Sequence, residues 1–415
     1  MAINPVGSQR EIAIPCASPG PLTLEDLTLL PIRIWTARLL VAICFVWPYF
    51  NFGLAETGMN LEVNCLPVFA AAALLPEVLW RDRRSILLAL PVFGVAAVWA
   101  TPAAVLRLAI AIVPLHFLLN LTRHLRARGQ SLLPLGLAYR ALQVFVLFCL
   151  VQTVDFEVHA VIPGWLSKVL VQIVPRYSGM PYDEFGVRGV QGWASEPAGA
   201  AMVCAAFALV AIFERPERRW RVLALFLLLL IMNKSIYAIF LTLLLGLASV
   251  LTLRHRLYSL LAILFLALAT MFYVARSGRI AELQSSVLTD GLDRASNTEL
   301  IRFAQLLYPL QQFPHIYRPP TLFATKVMEP IGLLALLAGY GSVPGIVWLV
   351  YIQRRNFRFA QVPLRPFALV AGLLLLIMVP PDLIPSILAV SIFCVPLRQS
   401  PGLRWTPETS PRGAS

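Results

Sequence analysis

The residues of this chain best suited to chemistry fall in one short run, Tyr182 to Gly199, set in an otherwise apolar sequence. It holds Tyr182, Asp183, Glu184, Arg188, Trp193, Ser195, Glu196 and Pro197, with glycines at 186, 189 and 192. A guanidinium presents a planar fork of donors that grips an anion through two hydrogen bonds. A carboxylate accepts or orients a hydroxyl proton. Glycines at spacing three permit positive φ and a close-packed backbone. A plainer account also fits: Ser195 caps a helix, Glu196 complements its dipole, Pro197 opens its first turn, and Arg188 is a solvated loop charge. What favours chemistry is the company, since an Arg, a glycine hinge, a Trp and a Glu converge where a loop meets an apolar run.

The surrounding sequence sets where that convergence sits. Of the 415 residues, 59% are hydrophobic and 13% charged, with mean hydropathy +0.76. A soluble domain carries about a quarter charged residues, so lipid is the better solvent for this chain. Stretches 1–33 and 398–415 read as tails and 34–397 as a transmembrane domain. The N-terminal stretch shows no basic region leading into a cleavable apolar segment, so the first apolar run is expected to remain as a span. Cutting the apolar runs at their charged breaks gives about twelve spans. The fold class expected is an all-α polytopic integral membrane protein.

Charge supplies the orientation. The net charge of +13 reads as basic residues on the cytoplasmic side rather than as a nucleic-acid surface. With the N-terminus inside, the breaks at Arg81–Arg84, Arg123–Arg128, Arg215–Arg221, Arg254–Arg256, Arg354–Arg358 and Arg398 all fall inside. Both long polar segments, 155–192 and 276–324, then fall outside. Arg38, Arg107 and Arg140 lie near interfaces, within snorkelling reach of water. Asn233-Lys234-Ser235 breaks a run too long for one span into two short helices. The six cysteines and five histidines form no CxxC, HExxH or other metal-spaced cluster. There is no Gly-rich loop of the Walker or dinucleotide type. No metal and no cofactor are expected.

Taken together, these residues resemble a known family. The order Arg188…Ser195-Glu196-Pro197…Ala200-Ala201 resembles the signature of Wzy-type bacterial polysaccharide polymerases, relatives of the O-antigen ligases. Arg188 to Gly199 also matches the R-x10-G spacing of outer loops in such enzymes. The resemblance runs from Leu132 to Ile352 in the order of its parts: outer loop, Glu-Pro span, basic break, hairpin with a small polar turn, further span and second outer loop. In that second loop Ile301–Leu307 is similar to the family's Arg-bearing helix. The turn at Gln312–Pro320 lacks the family's glycines. Thr325–Gly332 lacks the His-Asn found in the ligases, which counts against a ligase.

The resemblance implies glycosyl transfer at the periplasmic face of the bacterial inner membrane, with both termini cytoplasmic. The substrate would be an undecaprenyl-pyrophosphate-linked oligosaccharide. Arg188 and Arg302 would stabilise the departing diphosphate, and Glu196 would orient or deprotonate the acceptor hydroxyl. Trp193, Tyr182, Asp183, Arg318 and Lys326 would contact substrate. Membrane lipid, a flippase and a chain-length co-polymerase are the implied partners. The alternatives are an O-antigen ligase-like transferase, a flippase of lipid-linked sugars, and a scaffold of an export complex. A flippase should show two similar halves and polar broken helices at the midplane. A scaffold needs no convergent Arg/Glu set.

Overall fold

The computed structural model describes residues 24–48, 65–99, 102–158, 189–194, 197–233, 235–252, 332–359, 364–378 and 383–395. Within them every regular element is helical, and the one β-type pairing is an isolated antiparallel bridge between Gly189 and Asn233. Helix α1 is Leu24–Val46, α2 Leu66–Leu74, α3 Pro76–Leu79, α4 Arg83–Trp99, α5 Pro102–Ala127 and α6 Leu137–Val158. Helix α7 is Pro197–Glu214, α8 Arg219–Met232 and α9 Ile236–Leu251. Beyond these lie α10 Leu333–Phe359, α11 Arg365–Leu373 and α12 Ile384–Phe393. Four helical stretches among the described residues are long and apolar enough to cross a membrane: Ala104–Ala127, Leu137–Val154, Pro197–Glu214 and Leu333–Arg354. The chain is an α-helical membrane protein.

Helix α1 starts inside the stretch read as a polar tail. It ends earlier than the apolar run, at Val46, because Pro48 disfavours helical geometry at Trp47. Its outward stripe is Ile32, Trp35, Leu39 and Ile43, while Ala37, Val41, Cys44 and Phe45 are buried. Helix α6 repeats the pattern, with Val144, Leu147, Val151 and Val154 outward and Ala141, Leu142, Phe145 and Cys149 inward. Exposed apolar stripes on this scale are a liability in water. In lipid they are the matching surface.

Helix α7 lies at the centre, packed against α6, α8, α9 and α12. Every residue from Ala200 to Ile212 is buried. Ala and Gly at 198–201, 205, 206, 208 and 211 let the neighbouring backbones approach closely, the usual means of packing helices where lipid removes the hydrophobic drive. Hydroxyls in these apolar helices donate to the carbonyl one turn back: Thr122 to Leu118, Thr242 to Ala238, Ser249 to Leu245 and Ser391 to Ile387. Helix α10 breaks at Ser342 (φ 51°, ψ −140°), just before Pro344, and α11 continues as a π-helical stretch, Leu374–Met378. Such breaks survive at membrane depth because neighbouring helices cover the freed backbone.

The two ends of the bundle differ in chemistry. At one end the C-terminus of α5 meets the turn before α4, where Arg123 pairs with Asp82 at 3.3 Å and Arg81 reaches His124 at 2.7 Å. There too Arg126 lies over the Phe213 ring, Arg218 over that of Tyr139, and Glu214 accepts from the Gly136 amide at 3.0 Å. Arg33 donates to the Leu74 carbonyl and pairs with Glu77, and Arg38 donates to that of Leu132. This is the basic end. The opposite end, where α1, α6 and α8 finish and α7 and α9 begin, is held by carboxamides and aromatic rings.

Candidate functional site

The opposite end is organised by a strap, Gly189–Ala194, that leads into α7. Its residues are buried throughout, so each backbone N–H and C=O needs a partner. Two side chains provide several of them. From α6, Gln152 donates its amide to the Gly192 carbonyl at 2.9 Å and accepts from the Gly192 N–H at 2.8 Å. From the end of α8, Asn233 donates to the carbonyls of Val190 (3.0 Å) and Pro197 (2.7 Å). Its amide oxygen accepts from the Ser235 N–H at 3.0 Å, while the Val190 N–H donates to the Met232 carbonyl at 3.1 Å. One carboxamide thus joins the strap, the first residue of α7 and the turn between α8 and α9.

The sequence permits this only with glycine at two positions. Gly189 (φ 78°) and Gly192 (φ 61°) both adopt left-handed geometry. A Cβ on Gly192 would stand 2.5 Å from Cζ of Phe145. That ring packs edge-on against Trp193, with centroids 4.3 Å apart. Phe148 and Trp47 complete the cluster around the indole, at 5.7 and 6.3 Å. The hairpin at 233–235 closes as its residue types suggest: α8 ends at Met232, and Ser235 caps α9 by accepting from the Ala238 N–H at 3.1 Å.

Of the residues expected to act, Trp193 is among those described, and it is 7% exposed inside the aromatic cluster. Arg188, Glu196, Arg302, Tyr182, Asp183, Arg318 and Lys326 lie outside the described residues, as do the segments 159–188 and 253–331. The strap nevertheless bears on two of them. Gly189 follows Arg188 in the chain and Pro197 follows Glu196, and both Gly189 and Pro197 are tied to Asn233. Pro197 opens α7 as expected.

Sequence reasoning singled out Asn233 as a turn residue and passed over Gln152 and Gln191. The available signal was a carboxamide at the end of an apolar run, where polar side chains in a membrane helix carry a cost and call for a partner. Among the described residues no group of three or more His, Cys, Asp or Glu side chains converges to hold a metal. The cysteines described, Cys44, Cys65, Cys149, Cys204 and Cys394, are buried and free of disulfides. Comparisons with protein-family models, with curated proteins and with solved structures find no match to this chain.

Proposed function

We propose that the protein is a Wzy-type polysaccharide polymerase of the bacterial inner membrane, extending undecaprenyl-pyrophosphate-linked glycans at the periplasmic face. In this reading about twelve spans cross the bilayer, the basic end is cytoplasmic, and both termini lie on that side. The segments 155–192 and 276–324 are periplasmic. The observation that carries the reading is the Asn233 bridge. One buried residue ties both chain neighbours of the Arg188…Glu196 pair at the non-basic end of the bundle: its backbone bridges to Gly189, and its side-chain amide donates to the carbonyls of Val190 and Pro197.

The chemistry then follows from residue types. The acceptor sugar hydroxyl forms a bond to the anomeric carbon of the donor as the bond from that carbon to the pyrophosphate oxygen breaks. The electron pair leaves on the lipid diphosphate, whose charge Arg188 and Arg302 balance through bidentate donors. The hydroxyl proton passes to Glu196 or to water. A helix N-terminus stabilises the ionised carboxylate, which suits Glu196 to orienting the hydroxyl more than to strong base catalysis. A flippase and a chain-length co-polymerase are the expected partners.

Glycan profiling of a strain lacking the chain tests this. Single repeats held on the lipid carrier are the expected result. Full-length polymer left on its carrier would identify a ligase instead, and the lack of any outward-facing intermediate a flippase.

A further inference from the structure

Carboxamides at the non-basic end divide into two kinds. Gln152 and Asn233 are committed to backbone groups through the hydrogen bonds above. Gln191, between them on the strap, is 0% exposed, and neither its amide nitrogen nor its oxygen has a partner among the described residues. Two residues on, the indole N–H of Trp193 is also buried and unpaired. Buried polar side-chain atoms are nearly always hydrogen-bonded, so an exception calls for a cause. Here one strap, its neighbouring backbone pinned from two sides, carries three unpaired atoms, two on Gln191 and one on Trp193. Packing of Trp193 against Phe145, Phe148 and Trp47 commits its ring, and its N–H keeps no partner among the described residues.

We propose that the Gln191 carboxamide and the Trp193 indole N–H form a pair that reads sugar hydroxyls of the lipid-linked glycan. This rests on the glycan-transfer reading and names the part of the substrate the strap would meet. The donor and acceptor inventory selects the ligand. A carboxamide offers two donors and an acceptor, and an indole one further donor. Ring hydroxyls donate and accept, and so can pair with every one of these. A diphosphate has acceptors only and would leave the Gln191 oxygen unpaired, so the pair belongs to the sugar and the arginines to the leaving group.

The test compares a deletion strain complemented with wild type, Gln191→Met, Gln191→Leu or Trp193→Phe, reading polymer length, lipid-linked single repeats, protein level in membranes and thermal melting in detergent. Gln191→Met keeps the side chain's length and removes all its hydrogen-bonding atoms. The expected result is wild-type protein level, melting no lower than wild type for the Gln191 variants, and chain extension slowed by about tenfold or more. Wild-type polymer from Gln191→Met and Trp193→Phe at normal protein level overturns the proposal. Loss of protein from the membrane in both Gln191 variants overturns it too, because it makes the amide a structural partner. A deletion strain with an unchanged glycan profile overturns the glycan-transfer reading itself, before any variant is compared.

Discussion

Gln152 and Gly192 face each other as two strands of a sheet would, one through its side chain and the other through its backbone. Each donates to the other, at 2.9 and 2.8 Å. The pair is buried, and it fixes where the strap lies relative to α6.

Removing that side chain leaves a backbone donor and acceptor unpaired in the interior. Each orphaned group costs about 1–3 kcal/mol. Gln152→Leu should lower the melting temperature of the purified protein measurably and shorten the polymer in cells. Gln152→Glu retains the acceptor for the Gly192 N–H and sets a carboxylate oxygen against its carbonyl. It should therefore be at least as damaging, and melting with an unshifted midpoint would remove the pair from the account of stability.

Gly192→Ala adds a methyl group 2.5 Å from the Phe145 ring at φ 61°. The strain has two sources, and they separate experimentally. Replacing Phe145 by Leu in the Gly192→Ala background relieves the clash but not the backbone. A double-mutant cycle should show a favourable coupling of about 0.5–3 kcal/mol, with net stability still below wild type.

Asn233→Asp distinguishes donors from shape. The substitution keeps an acceptor for Ser235 but replaces the one amide nitrogen that donates to the carbonyls of both Val190 and Pro197 with an oxygen facing them. It should harm folding more than Asn233→Ala does. If the protein level in membranes ranks the other way, Asn233 acts by volume alone.

On the functional side, Arg188→Ala and Arg302→Ala should abolish chain extension while leaving protein levels normal. Polymer of normal length from either variant takes that arginine out of the mechanism. Glu196→Gln tests the carboxylate directly, since near-wild-type turnover would leave Glu196 only a role at the helix terminus.

The membrane class, the Pro197 start of α7 and the Asn233-Lys234-Ser235 turn were legible in the sequence because each depends on local signals: apolar length, a missing N–H, a capping hydroxyl. What was not legible depends on tertiary placement. Nothing local marks Gln152 as the partner of Gly192, forty residues away. The sequence leads to the expectation that Trp193 contacts substrate, and nothing local tells which rings pack against its indole. Phe145 and Trp47 pack against it, because α1 and α6 end beside the strap. The start of α1 at Leu24 was hidden as well, since helix geometry there continues past the edge of the apolar run.

The make-up of α7 bears on how this protein can change over evolutionary time. Alanine and glycine have no rotamers to adjust, so the central helix has little room to absorb a larger neighbour or a larger residue of its own. Added methylenes in such a core cost about 1–3 kcal/mol. Variation should therefore be purged at Ala201, Ala205 and Ala208, all fully buried, and run freely among apolar residues at Val144, Leu147 and Val151, which face outward. Lineages of this protein would then diverge from the rim inward, with α7 the last helix to lose its ancestral spelling.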